Sequence, residues 1–363
     1  GTFDEGFARK YLGGVGLASR IIYGNVTKNT NPLGPSNVLV FATGPYQATN
    51  LTVVGKCTVA AKSPLTGIWG ESSAGGRIGT ELKRAGFDAV AITGRAKGPV
   101  YLWINDGKVE IRDATKFWGL ETPDVVDILK EAVGDARVAV TSIGPAGENL
   151  VRFACIANDK HGYFGRCGLG AVMGSKNLKA IVVRGTLKPP IANPEKLKDI
   201  YGAVLKKIEA APYTEENRAG GQPAALIPLQ AFGLAPVKNW TQGTFPGVSN
   251  LGTPRYTEEL QIKNWSCPYC IVGCHRKITN PLYKSKTSGP EYETLAMIGV
   301  NLFIDDLGAV VRANDLCNRY GMDTIELGGV LGWAFECYEK GLITKEDTDG
   351  LELKWGSGEA LVK

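Results

Sequence analysis

Along its first half the chain alternates short runs of β-branched and aromatic residues with glycine-bearing turns, the period-two pattern of strands joined by tight connections. Residues 37–44 (NVLVFATG) form one such run. Residues 100–112 predict a hairpin, because Asp106-Gly107 supplies the positive φ values of a tight turn between two alternating segments. An amphipathic helix is predicted over about 122–134. After Lys188-Pro189-Pro190 the period lengthens, and helices are predicted over about 194–211, 306–320 and 324–340. The middle one is punctuated by Asp305-Asp306 at its start and Gly321 past its end. The pattern gives an α+β chain with a β-rich domain over 1–190 and a helical domain over 191–363.

The first half also echoes itself. Gly76-Arg77-Ile78-Gly79 is followed by a short helix-like segment and by the strand Ala89-Val90-Ala91-Ile92, which ends at Gly94. Gly165-Arg166-Cys167-Gly168 is followed in the same way by Ala180-Ile181-Val182-Val183, which ends at Gly185. Two related halves facing one another would explain the echo; two unrelated tight turns would also give it.

Composition narrows the classes. Glycine accounts for 47 of 363 residues, well above the roughly 7% usual in proteins, without a collagen period, so it has local backbone roles. No apolar run approaches the ~18 residues of a membrane span. A net charge of +5, with acidic and basic residues interspersed, gives no phosphate-tracking block, so nucleic acid is not an expected partner. Eight cysteines are too few for a disulfide scaffold and no signal peptide is visible, which favours a reducing, cytoplasmic setting. The chain starts at Gly1 without an initiator Met and stops at Lys363 in a helix-like stretch, so an incomplete chain is expected.

Two kinds of motif carry chemistry. Glycine-rich turns entering a helix let backbone N–H groups approach an anion, and the arginine in each turn adds to the case for phosphate. Neither loop has the Walker spacing or the full dinucleotide fingerprint. Cys267-Pro268-Tyr269-Cys270-Ile271-Val272-Gly273-Cys274 places three thiols within eight residues, as in loops that wrap an iron–sulfur cluster. A structural zinc or an inert triplet is the competing reading, and adjacent His275 is a poor fourth ligand. Cys57 and Cys155 on strands, and Cys317 and Cys337 on helices, read as core cysteines.

Taken together and in order, Tyr11-Leu12-Gly13-Gly14, Lys62-Ser63-Pro64-Leu65-Thr66-Gly67, residues 144–151 (GPAGENLV), residues 165–180, the cysteine triplet and Gly289-Pro290-Glu291-Tyr292-Glu293 resemble the aldehyde ferredoxin oxidoreductase family of tungsten bis-pterin enzymes. The resemblance implies a base of two β-sheets with pseudo-twofold symmetry carrying tungsten, or molybdenum, between two pterins. By the same resemblance, Ser73-Ala74-Gly75-Gly76 and Arg166-Cys167-Gly168 each contact one pterin, and the backbone carbonyls of Ser73 and Cys167 help hold a bridging Mg²⁺. Cys267, Cys270 and Cys274 match three ligands of a [4Fe-4S] cluster, with the fourth expected beyond Lys363. Glu293 matches a proton-transfer glutamate near the metal; from its position alone it reads first as a carboxylate at a helix start.

The helix-end turn from Asn318 to Asp323 resembles a pterin-contacting turn, with Asn318 where the family usually has Asp. Lys56 stands where the family commonly has an Arg linking pterin and cluster, which keeps the charge and loses the planar fork. Ser73 and Cys167 replace the usual Asn and Gly. The implied reaction is oxidation of a small aldehyde to its acid, with electrons leaving through the cluster to ferredoxin or an iron–sulfur partner subunit in a homo- or hetero-oligomer. The alternatives are a low-potential reduction of the aryl-CoA type, or a non-catalytic electron-transfer subunit.

Overall fold

In a computed structural model that describes residues 2–363, the chain divides into two compact units. The first comprises residues 1–208, 266–271 and 318–323; the second comprises 209–265, 272–317 and 324–363.

Two sheets build the first unit. One has the order β3-β2-β1-β4, with β1 Leu39–Ala42, β2 Cys57–Lys62, β3 Trp69–Ala74 and β4 Ala89–Ile92. The other has the order β6-β5-β10-β7-β8-β9, with β5 Val100–Asn105, β6 Lys108–Asp113, β7 Ala139–Ser142, β8 Ile156–Asn158, β9 Gly162–Phe164 and β10 Leu178–Arg184. The predicted hairpin is β5–β6, turning at Asp106 (φ 41°) and Gly107 (φ 84°).

The helices of this unit are α1 Glu5–Tyr11, α2 Gly14–Tyr23, α3 Ile78–Arg84, α4 Thr122–Val133, α5 Pro145–Glu148, α6 Leu169–Ser175 and α7 Pro194–Ala210, the last running two residues into the second unit. The pattern predicts α4, α7 and the short segments α3 and α6, and misses α1, α2 and α5.

The sequence echo is a topological repeat. Helix α2 is followed by the antiparallel meander β1-β2-β3, then a glycine loop, α3, and β4 returning antiparallel beside β1. Helix α4 is followed by the meander β7-β8-β9, then a glycine loop, α6, and β10 returning antiparallel beside β7. Strands β5 and β6 extend the second sheet along β10, with β5 parallel to it.

Alternation along the strands sorts the side chains into layers. Leu39 and Phe41 share a core with Ile181, Val183, Ile78 of α3 and Val172 of α6. The opposite faces are covered by the paired helices: Val40 and Ala42 pack with Ala18 and Ile22 of α2, while Val140 and Val182 pack with Val125 and Leu129 of α4.

Two buried lysines brace this unit. Lys179 is paired with buried Glu148 and donates to the Leu120 carbonyl at 2.9 Å, while Glu148 accepts from the Gly119 N–H at 2.8 Å. Lys176 donates to the Asn37 carbonyl at 2.6 Å, and burial lowers its pKa to about 8.

The second unit is mainly helical: α8 Pro212–Ala219, α9 Leu226–Ala231, α10 Arg255–Glu259, α11 Tyr292–Thr294, α12 Leu307–Tyr320, α13 Thr324–Glu339 and α14 Gly358–Val362. Its core gathers Tyr256, Leu295, Ile298, Leu302, Val310 and Phe335. Helix α12 starts as predicted, with the Asp306 carboxylate accepting from the Ala309 N–H at 3.1 Å, and its last three residues belong to the first unit. A hairpin of β11 Ile262–Trp265 and β12 His275–Ile278 flanks the cysteine segment and is not legible in the periodicity. Among the described residues no helix is long and apolar enough to cross a membrane.

Candidate cofactor site

Strand β3 pairs Ser73 with Thr58 and Ala74 with Cys57, then leaves the sheet at Gly75. Gly76 has φ +108°, and an added Cβ would stand 2.8 Å from the Asn158 amide nitrogen, so only glycine fits. That amide nitrogen donates to the Gly75 carbonyl at 2.7 Å, so the first loop is held by the end of β8, in the other sheet.

The second loop is held reciprocally. Its Cys167 (φ 70°) and Gly168 (φ 69°) are left-handed, and a Cβ on Gly168 would meet the Arg152 carbonyl at 1.9 Å. The Cys167 carbonyl accepts from the Ser63 hydroxyl at 2.8 Å, and Ser63 follows β2 in the first sheet. The loops also meet directly, since the Arg166 N–H points at the Ser72 hydroxyl at 3.4 Å. A carbonyl oxygen has two lone pairs, so the bond from Ser63 leaves the Cys167 carbonyl one acceptor direction for a cation.

The two turn arginines differ. Arg77 donates to both carboxylate oxygens of Asp159, at 3.0 and 3.1 Å, and to the Arg137 and Val138 carbonyls at 2.9 and 2.6 Å. Four of its five N–H donors are thereby taken, so it clamps the loop to the second sheet and does not act as an anion contact. Arg166 is half-exposed and pairs at 2.7 Å with the buried carboxylate of Asp323.

That pair ties the segment 318–323 to the second loop. The Asp323 N–H donates to the Phe153 carbonyl at 3.1 Å, and the Thr122 hydroxyl donates to the Asn318 carbonyl at 2.9 Å. Arg319 makes a bidentate pair with Glu121, both bonds 2.6 Å.

Cys267 and Cys270 belong to this first unit. The Cys267 thiol accepts a hydrogen bond from the Gly76 backbone and lies within electrostatic reach of Lys56 and Cys270. Burial raises its pKa, with Cys270 adding to the rise and the Gly76 bond and Lys56 opposing it. Gly55, beside Lys56, has room for Cys267 because it lacks a side chain: an added Cβ would stand 3.1 Å from the Cys267 Cβ. The loop is pinned by Ile271 N–H to the Thr52 hydroxyl at 3.0 Å and by Arg84 to the Tyr269 hydroxyl at 2.8 Å. The first unit thus brings together Lys56, the first loop, the second loop, Asp323 and two of the three cysteines.

Cys274 and Glu293 belong to the second unit. Glu293 is exposed in the first turn of α11, ahead of a π-helical turn at Leu295–Val300. The perturbed carboxyl there is Glu291, which the sequence reading passed over. Burial raises its pKa to about 8, Arg276 opposes the shift and Glu293 adds to it. Its Oε2 is sealed from solvent without a hydrogen-bond partner among the described residues, and its Oε1 lies 3.6 Å from Nδ1 of His275. Both glutamates stand in one motif, and only the fold sets Glu291, half-buried with one carboxylate oxygen sealed from solvent, apart from exposed Glu293.

The donor set fits the groups inferred from the sequence. Asn158 Oδ1 and Gln47 Oε1, beside Gly76 and Gly79, are buried acceptors without partners among the described residues. Among the described residues no cysteine is in a disulfide, so the thiols of the triplet are not held by one. Among the described residues no three His, Cys, Asp or Glu side chains gather around a single metal position; a four-iron cluster spreads its thiolate ligands over its corners. Of the remaining cysteines, Cys57, Cys155 and Cys317 are buried as predicted, and Cys337 is partly exposed.

The family description "Aldehyde ferredoxin oxidoreductase, N-terminal domain" matches residues 2–185, and "Aldehyde ferredoxin oxidoreductase, domains 2 & 3" matches residues 199–363. Tungsten-containing aldehyde ferredoxin oxidoreductase from Pyrococcus horikoshii is 42% identical over 96% of this chain and 58% of its own length. The protein of the same name from Pyrococcus furiosus is 40% identical over 99% of this chain and 60% of its own length. Among solved structures, the active-site complex BamBC of benzoyl coenzyme A reductase, with 1,5-dienoyl-CoA, superposes with a TM-score of 0.84 at 29% identity, over 100% of this chain and 56% of that one. The chain spans about 60% of the length of these curated relatives.

Proposed function

This chain belongs to the aldehyde ferredoxin oxidoreductase family, and from that premise we propose that it forms the pterin- and cluster-bearing part of a tungsten (or molybdenum) enzyme that oxidises a small aldehyde to its carboxylic acid. When bound, the metal–pterin group supplies the two-electron redox chemistry. The protein supplies position, charge and protons.

The observation that carries this reading is the convergence around Gly76, whose backbone hydrogen-bonds to Cys267 beside Lys56. In this reading the loops Ser73–Gly76 and Arg166–Gly168 would each hold one pterin, the carbonyls of Ser73 and Cys167 would hold Mg²⁺, and Arg166 is aimed by Asp323. Asn318 and Asp323 fix the pterin edge from the helix-end turn. Cys267, Cys270 and Cys274 would hold a [4Fe-4S] cluster, which would supply a route for electrons to ferredoxin or an iron–sulfur partner in the cytoplasm. Lys56, within electrostatic reach of Cys267, would offer the cofactors a single compact charge. Glu293 would exchange the proton released in the oxidation, from its exposed position in the first turn of α11.

A second reading, low-potential reduction in the manner of an aryl-CoA reductase, is favoured by the structural likeness to the benzoyl coenzyme A reductase complex. Aldehyde-dependent reduction of a viologen dye separates the two, since only the first predicts it. Stoichiometric tungsten or molybdenum together with four iron per chain is expected by metal analysis; zinc alone, or iron without tungsten or molybdenum, would overturn both. Glu293→Gln should lower turnover and displace its pH profile, whereas an unchanged profile would remove Glu293 from the proton path. Cys270→Ala should abolish the broad visible absorption of the cluster.

A further inference from the structure

We propose that the first repeat carries a separate binding site for a small organic carboxylate with an aromatic or short alkyl body, in the cavity between α2 and the β2–β3 turn. The cavity is an open cleft of about 630 Å³, within the size range of small-molecule sites. Tyr11, Ile22, Val26 and Trp69 give it apolar walls, and Arg20, Lys28 and Lys62 bring three cations to it without a single carboxylate among its lining residues. Tyr23 and Ile68, at 88% and 69% exposure, extend the apolar wall at its mouth.

Three observations support an anion there. The first is compositional: between Glu5 and Glu71 the chain holds no Asp or Glu at all, while it holds Arg9, Lys10, Arg20, Lys28, Lys56 and Lys62. With 36 acidic residues in 363, a stretch of that length would ordinarily carry six or so, and its lack leaves the local field positive.

The second is pairing. Lys62 donates to the Lys28 carbonyl at 2.6 Å, which fixes its ammonium at the cavity, and neither Arg20, Lys28 nor Lys62 has an ion-pair partner among the described residues.

The third is the internal repeat, which supplies its own control. At the equivalent place in the second repeat, between α4 and the β8–β9 turn, Lys160 is neutralised by Asp127 of the helix at 2.6 Å. That turn spans only residues 159–161, whereas the β2–β3 turn spans 63–68. The second repeat closes this position with a short turn and an ion pair. The first opens it with a longer turn and leaves its cations unneutralised.

The ligand class follows from the lining. A planar guanidinium and two ammonium groups recognise a carboxylate, and aromatic walls recognise an apolar body. None of the lining residues is among those assigned to the pterins or the cluster, so the site does not depend on the cofactor reading.

The test is calorimetric titration of the chain with 2-naphthoate and with 2-naphthamide, which has the same shape and no charge. One saturable site per chain is expected for the naphthoate, with the amide about tenfold weaker. The double variant Arg20→Ala/Lys28→Ala should bring naphthoate down to the level of the amide, and Tyr23→Ala should weaken both. Cys270→Ala should leave both unchanged, so a failure here is distinguishable from failure of the redox reading. No saturable naphthoate binding, equal affinity for both probes, or indifference to the double variant in a protein with unaltered circular dichroism would overturn the proposal.

Discussion

Replacing Gly76 by Ala tests the reciprocal hold on the cofactor loops. At φ +108° a side chain is strained by about 1–3 kcal/mol whatever its surroundings. The new methyl would also stand 2.8 Å from the Asn158 amide, whose bond to the Gly75 carbonyl contributes about 0.5–1.5 kcal/mol. Because Asn158 is buried and its position is set by the β7–β8–β9 meander, it cannot swing aside cheaply. The expected loss is about 2–4 kcal/mol of stability. Gly165, at the start of the second loop, is the control: an added Cβ there would meet no atom within 4 Å, and Gly165→Ala should stay within about 0.5 kcal/mol. Guanidinium unfolding followed by far-ultraviolet circular dichroism measures both. If Gly76→Ala lost no more than Gly165→Ala, the loop would not be held in the way described.

Two further perturbations test the buried charges. Lys179→Met leaves the Glu148 carboxylate buried without its cation and should cost about 3–5 kcal/mol, while the double variant Lys179→Met/Glu148→Leu should recover most of that in the same unfolding assay. Glu291 has its pKa raised to about 8, so between the ordinary carboxyl range and pH 8 the folded chain holds a proton that the unfolded chain releases. Stability contributed by this group is present at low pH and falls as pH rises through that window. Thermal midpoints of Glu291→Gln should therefore fall less between pH 5 and pH 8 than those of the parent, and parallel curves would contradict the assignment.

Much of the scaffold was legible where one face of an element is buried and its ends are marked. Helix α12 carried both signals, and the β5–β6 hairpin carried the turn dipeptide. Helix α2 escaped notice because it opens Gly14-Val15-Gly16, which reads locally as a turn; Gly16 is there because a Cβ would meet the Tyr11 carbonyl at 2.3 Å. The glycine echo pointed to the two loops, but the full helix–meander–loop–helix–strand repeat was hidden because its turns differ in length. The role of Arg77 depended on Asp159, 82 residues away, and no local pattern carries that information. The same holds for Glu291 and Glu293: the sequence displays two carboxylates, and only tertiary burial separates them.

Each glycine loop is anchored by the sheet of the opposite repeat, through Asn158 to Gly75 and through Ser63 to Cys167. The two halves are therefore hostages to one another: a change in either meander disturbs the loop its twin presents, and neither half, expressed alone, could display a formed loop. Duplicated segments are ordinarily free to diverge once one copy suffices. Here the crossed anchoring removes that freedom, which gives a physical reason for two copies to keep a common architecture while their turns, one open and one latched by Lys160 and Asp127, have become different.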